Sequence, residues 1–161
     1  MKKILYIFAA LLGTAMLAAC DDDYNAPVAL RSSFSEMYPT AVDVEWEKRH
    51  GYAIAEFRIP GEGECEAWYK DEVWVGTKYD IKYNDLPSAV QMAFESEYGA
   101  ETPVDDVDRL ERPNKETIYF IEAEIYVNGY IADIYLDYNV DGELLRTAVD
   151  IEDYNNIYYY I

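Results

Sequence analysis

The stretch Pro27-Val-Ala-Leu-Arg-Ser-Ser-Phe-Ser-Glu-Met-Tyr38 can be laid, sixty residues on, over Pro87-Ser-Ala-Val-Gln-Met-Ala-Phe-Glu-Ser-Glu-Tyr98. Pro27 and Pro87, Ala29 and Ala89, Leu30 and Val90, Phe34 and Phe94, and Tyr38 and Tyr98 coincide. Leu30, Phe34, Met37 and Tyr38 recur at three- and four-residue steps, as do Val90, Phe94 and Tyr98. That spacing predicts one apolar face of a short helix in each place. Proline suits the first turn, and Pro39 or Gly99 ends the helix. A helix apolar on one side needs a sheet to lie on.

Strand patterns follow each helix. Val42-Asp-Val-Glu-Trp46 alternates apolar and acidic residues, as a half-buried strand does. Ala53, Ala55, Phe57 and Ile59 share one side of the next segment, with Tyr52, Ile54, Glu56 and Arg58 on the other. Pro60-Gly61-Glu62-Gly63 is a turn, and further strands are expected at 64–70 and 73–79. After the second helix the pattern returns at 104–110, 117–127, 130–138 and 143–150. Asn128-Gly129 and Asp141-Gly142 are hairpin dipeptides. The expected fold is α+β: two tandem repeats, each a helix plus four antiparallel strands, with both helices packed on one face of the sheet.

The segment before the first helix is an address. Lys2 and Lys3 precede an apolar run over residues 4–17 that ends in Leu17-Ala18-Ala19-Cys20. The run is short for a bilayer crossing, at roughly 20 residues per span, and fits a signal-peptide core. The small residues before the cysteine resemble a bacterial lipobox, with Cys20 as the lipidated residue. The boundaries read as a leader over 1–19, a lipidated acidic tether over 20–26, a first repeat over 27–85, and a second repeat with its tail over 86–161. Asp21, Asp22 and Asp23 directly follow the cysteine. Such a run resembles a surface-export signal in some bacteria and an inner-membrane retention signal in others, and it also serves as a solvated spacer. The expected location is the cell envelope, lipid-anchored at the outer membrane, with the leaflet left open.

Charge removes a class of partners. The 161-residue chain carries 32 acidic against 13 basic side chains, a net charge of -19. Loss of Lys2 and Lys3 with the leader makes it -21. An acidic surface repels phosphate backbones, so no nucleic acid partner is expected. Hydrophobic residues still make up 51% of the chain and include 17 tyrosines, enough to build a core rather than a disordered acidic tail. With Cys20 lipidated, Cys65 has no partner for a disulfide, and His50 is the one histidine. Zinc and Cys–His chemistry therefore lack ligands.

The Leu86-Pro87 helix start, the Tyr98-Gly99 stop, the Tyr119-Phe-Ile-Glu-Ala-Glu strand and the Leu136-Asp137…Asp141-Gly142-Glu143-Leu144-Leu145 hairpin resemble the PepSY-like domains of small secreted bacterial proteins. That family is similar in fold to the β-lactamase-inhibitor protein. The resemblance covers roughly residues 27–150 and is better in the second half; in the first, Asp71-Glu72-Val73-Trp74-Val75-Gly76 departs from the hairpin pattern. It implies helices on one face of an antiparallel sheet and an open face able to grip a target protein. No inhibitory residue carries over.

Few groupings suggest chemistry. Asp137-Tyr-Asn139-Val-Asp141-Gly142 imitates the opening of a calcium loop, but Ala148 stands at its twelfth position, where that loop needs a bidentate glutamate. A hairpin outweighs calcium there. Glu122 and Glu124 share a strand face, a spacing that recurs by chance among so many acids, so no enzyme and no cofactor is expected. Trp46, Trp68 and Trp74 read as core residues. If the helices cover Phe57, Ile59, Ile121, Ala123, Ile134 and Leu136, the opposite face collects Tyr52, Glu56, Arg58, Tyr69, Glu122, Glu124, Tyr126, Asp133 and Tyr135. Tyrosine offers rigid amphipathic area and is enriched in binding surfaces; a solvent-facing sheet also tolerates Tyr and Glu. The expectation is a non-catalytic, lipid-anchored module holding a protein or peptide on this face. A hydrolase inhibitor is the alternative. The tail Ile151-Glu-Asp-Tyr-Asn-Asn-Ile-Tyr-Tyr-Tyr-Ile161 should pack on the domain, since an exposed Ile/Tyr strand promotes aggregation.

Overall fold

The alternating segments pair in chain order. A computed structural model of the protein describes residues 24–127, 129–149 and 156–161. It contains α1 (Val28–Met37), β1 (Val42–Arg49), β2 (Tyr52–Arg58), β3 (Glu64–Lys70), β4 (Val73–Asp80), α2 (Ser88–Tyr98), β5 (Val104–Glu111), β6 (Ile118–Val127), β7 (Tyr130–Asn139) and β8 (Leu144–Val149). Short 3-10 turns lie at Tyr83–Asp85 and Asn156–Tyr159. All eight strands form one antiparallel sheet in the order β1 to β8. The strands before and after α2 are joined by β4 against β5, with Thr77 opposite Glu111 and Asp80 opposite Asp108. Cys20, the leader and Asp21, Asp22 and Asp23 lie outside the described residues, as do Asn128 and residues 150–155. No helix among the described residues is long and apolar enough to cross a membrane.

The helix faces pack as their spacing predicts. Leu30 and Phe34 of α1 are buried over Ala55, Phe57, Cys65 and Ala67. The Phe34 ring meets Phe57 edge-on at 4.9 Å and Trp46 at 5.5 Å. The alanines matter here, because short side chains let the helix approach the sheet closely. Val90 and Phe94 of α2 are buried over Val107, Ile121, Ala123, Ile134 and Leu136. Met37 departs from its expected position and is exposed. The backbone leaves the helix at Tyr38 (φ -126°), and that ring takes the core place instead, 4.7 Å from Phe57.

Two glycines fix chain reversals. Gly99 closes α2 at φ +94°, its N–H donating to the Glu95 carbonyl, in a conformation that side chains other than glycine adopt at a cost. Gly142 (φ +80°) lies between β7 and β8, where a Cβ would stand 2.4 Å from the Ala89 carbonyl oxygen. The hairpin therefore presses on the start of α2. Its turn is built from Asn139, whose Oδ1 accepts from the backbone N–H groups of Asp141 and Glu143 at 3.1 and 2.9 Å. The calcium-like sequence thus forms a side-chain-capped hairpin.

The three tryptophans are core residues, in two different cores. Trp46 and Trp74 flank the cluster under α1. Trp68 is fully buried on the opposite side of the sheet. Cys65 is buried and unpaired, and burial pushes its thiol up to about 11, as suits a small apolar residue rather than a nucleophile.

Candidate functional site

The face away from the helices divides into three zones. The first spans β1 to β5. In strand register, Glu45 stands opposite Glu56, Glu56 opposite Glu66, and Glu66 opposite Lys78, so period-two alternation places one row of charges across four strands. With Asp43, Glu64, Asp80, Asp106 and Asp108 they line a cleft of about 490 Å³ in which Arg58 and Lys78 are the two cations. Arg58 pairs with Asp43. Lys78 reaches Asp108 at 3.2 Å.

Charge crowding is legible in the titration of these groups. Asp108 is 7% exposed, and burial, opposed by Lys78 and reinforced by Asp106, pushes its carboxyl up to about 7. Burial pulls the Lys78 ammonium down, yet Asp108, Glu66 and Asp106 outweigh it and hold it above its ordinary value. Glu56 is raised by burial and by Glu47 and Glu66. Asp80 is raised by burial and by Asp106 and Glu64. Such a surface favours whatever brings positive charge to it.

The second zone, near the β6–β7 hairpin, holds five of the expected residues. Glu122 is opposite Tyr135 and Glu124 opposite Asp133. Glu122 is half-buried; burial raises its carboxyl, the Tyr135 hydroxyl opposes this, and Asp106, Asp133 and Asp105 add to it. Carboxylate oxygens of Asp105, Glu124 and Asp133 lie within 4.8 Å of one another. Asp106 acts on Asp80, Asp108 and Glu122 alike, which makes the two zones one acidic band. Tyr126 is the most exposed tyrosine of the set, at 76%, beside the exposed Ile131.

Beside the acidic band the face is apolar and covered. Ile54, Trp68, Leu110, Ile118 and Phe120 form a cluster with Ile157 of the C-terminal turn. The packed tail is the expected outcome for residues 156–161, and its seat is the helix-free face of the sheet. Tyr52 stands at the edge of this zone, its ring 5.7 Å from Trp68 and 6.1 Å from Tyr158, with the Lys70 ammonium 4.5 Å above it.

Tyr69 is a correction. It is 2% exposed and belongs to the core under α1, with its ring 5.8 Å from Trp46. The register explains this: Tyr69 is the partner of Ala53, so it shares the helix side with Ala53, Ala55 and Phe57. The signal in the sequence that places it is alternation with Cys65 and Ala67. Trp68, its neighbour, holds the face position and donates from Nε1 to Glu66 Oε2 at 3.0 Å.

An open eight-stranded antiparallel sheet, backed by two helices on one side only, defines a BLIP-like α+β protein. Among solved structures, a BLIP-like protein from Bacteroides fragilis NCTC 9343 is 28% identical with a TM-score of 0.70, covering 84% of this chain and 97% of that one. A DUF2874 family protein from Bacteroides ovatus ATCC 8483 is 30% identical with a TM-score of 0.69, covering 79% of this chain and 91% of that one. The chain belongs to the DUF2874 family. A protein of Bacteroides eggerthii DSM 20697, provisionally assigned to the periplasm, is 25% identical with a TM-score of 0.73, covering 82% of this chain and 94% of that one. No family model and no curated protein matches the sequence.

Proposed function

We propose that the protein is a non-catalytic, lipid-anchored binding protein of the bacterial cell envelope that holds a basic protein or peptide on the sheet face away from its helices. The observation that carries this reading is the cleft between β1 and β5, where eight carboxylates face Arg58 and Lys78. Glu56, Asp80 and Asp108 are raised first by burial and then by their acidic neighbours; a cationic segment laid there relieves the second of these, so charge complementarity supplies both attraction and orientation. The provisional periplasmic assignment of the Bacteroides eggerthii neighbour supports an envelope location. The Leu17-Ala18-Ala19-Cys20 motif supports an outer-membrane anchor, with Cys20 as the first residue of the mature chain. Helix-then-four-strands occurs twice in succession, which supports tandem PepSY-like repeats.

Charge reversal tests the face. A partner captured from envelope extract by the wild type should be lost by Glu56→Lys/Glu66→Lys, with folding and melting unchanged. Equal capture by both proteins overturns the acidic-cleft reading. The BLIP-like neighbour favours one further reading, inhibition of a secreted hydrolase, which requires the captured partner to be a hydrolase that loses activity in the complex. Blocking of processing by globomycin tests the anchor at Cys20; a soluble mature form with an unmodified thiol overturns it.

A further inference from the structure

The centre of the sheet face is built like a core, not like a solvent-facing surface. Ile54, Trp68 and Leu110 are completely buried there, and Ile118 and Phe120 nearly so, on strands β2, β3, β5 and β6. What covers them is a six-residue segment, residues 156–161. Ile157 is 0% exposed and inserts among these side chains. The Tyr158 ring stands edge-on to Trp68 at 5.4 Å, and its hydroxyl is 2.9 Å from His50 Nδ1. The Tyr160 ring lies tilted against Phe120 at 5.8 Å, and its hydroxyl donates to Asp137 Oδ2 at 2.8 Å.

The seat also reads the backbone of its occupant. The Tyr160 carbonyl accepts from Arg112 Nη1 at 3.2 Å and from Lys115 Nζ at 3.5 Å. Arg146 lies over the Tyr159 ring, 3.2 Å from its centroid. An apolar socket, a carboxylate at the far end for a phenol, and cations on a main-chain carbonyl are the parts of a peptide-recognition groove. Each part is contributed by the sheet or its loops, and each is filled by the end of the same chain.

We propose that residues 156–161 are an internal ligand: the middle of the sheet face is a groove for a short peptide carrying an aliphatic residue and, three positions later, a tyrosine. The chain's own C-terminal segment occupies this groove and withholds it until a partner segment of the same chemistry competes. This rests on the reading of the helix-free face as a binding face, and it adds a second, apolar determinant beside the acidic band. Occupation in cis lowers apparent affinity by the fraction of molecules in which the groove is vacant.

The test uses the full chain and a fluorescein-labelled peptide Asn-Ile-Tyr-Tyr-Tyr-Ile. Ile157→Asp, which expels the segment, should bind the peptide at least roughly ten-fold more tightly than wild type by fluorescence polarisation. A peptide with serine in place of its first Ile and last Tyr should not bind. Equal binding of the labelled peptide by a folded Ile157→Asp protein and by wild type overturns the proposal. Native-state amide exchange on wild type covers the case in which that variant does not fold. The Tyr160 and Ile161 amides, bonded to the Ile157 carbonyl, should exchange at least ten-fold faster than the β6–β7 ladder, as for a locally opening unit. Exchange together with the ladder makes the segment an integral part of the core and overturns the proposal. Neither readout depends on the acidic cleft, whose own failure is read by Glu56→Lys/Glu66→Lys.

Discussion

Tyr160 donates its phenolic hydroxyl to Asp137 Oδ2 across 2.8 Å, joining the end of the chain to the one fully buried carboxylate among the described residues. Arg146 approaches the same oxygen through Nε at 3.5 Å. A hydrogen bond to a charged acceptor contributes about 1.5–3 kcal/mol. Tyr160→Phe should therefore lower stability by about 1–2 kcal/mol in urea unfolding. Asp137→Ala, which removes this buried acceptor from both, should cost about 3 kcal/mol. A double-mutant cycle should return a coupling energy near 1 kcal/mol or above; strict additivity of the two changes excludes the contact.

Tyr69 provides a test in the opposite direction. Its hydroxyl is buried and meets no hydrogen-bond partner among the described residues, and burial raises the phenol above its ordinary range. Removing an unsatisfied buried hydroxyl relieves its desolvation cost, so Tyr69→Phe should be neutral or stabilising by about 1 kcal/mol. Tyr69→Ala empties a core site and should destabilise by about 3–5 kcal/mol. A stable Tyr69→Ala protein with impaired partner capture would instead return the residue to the binding face.

Stability should fall as pH rises from about 4 to 7, because Asp108 titrates in that window. Its carboxyl, ordinarily near 3.8, is raised to about 7 by burial. The folded state holds that proton more tightly than the unfolded chain. The contribution is complete below the unfolded value and disappears as pH passes the folded one. Glu56, Asp80 and Glu122 are raised in the same direction, each first by burial. Melting temperatures at pH 5 and 7.5 should differ in favour of pH 5, and Asp108→Asn should shrink the difference. An unchanged difference in that variant assigns the slope to the other carboxylates.

The strands were legible because alternation is a local signal. Val42, Glu64 and Val73 begin strands where the pattern places them, and the hairpin at Asp141-Gly142 announces itself in two residues. Face assignment held for Phe57, Ile121, Ala123, Ile134 and Leu136, where period two runs unbroken. It fails at Tyr69, which alternates with Cys65 and Ala67 and so shares their side of β3. The covered groove was illegible for a different reason. Ile157 meets Ile54 and Trp68 across about a hundred residues of chain, and no local pattern records which surface a tail will choose. Trp68, flanked by Glu66 and Lys70 on its own face, is the residue whose misfit with a solvated surface could have raised the question.

Thr77 joins α1 to the sheet, and its hydroxyl is the last relationship to test. It is 0% exposed, accepts from Trp74 Nε1 at 2.9 Å, and is bonded to the Tyr38 hydroxyl. Tyr38 is the residue at which the chain leaves α1. The three groups therefore tie the helix end to β4 inside an apolar core. Valine matches threonine in volume but offers no acceptor, so Thr77→Val leaves the Trp74 indole N–H without its acceptor, while the Tyr38 phenol keeps its bond to Tyr79. An orphaned buried group costs about 1–3 kcal/mol, and the variant should lose about 2 kcal/mol with its fold retained. Thr77→Ser keeps the hydroxyl and removes one methyl group, so it should lose only about 1 kcal/mol. Denaturant midpoints of the two variants decide it: if valine is tolerated better than serine, packing volume rather than the shared hydroxyl holds the helix end in place.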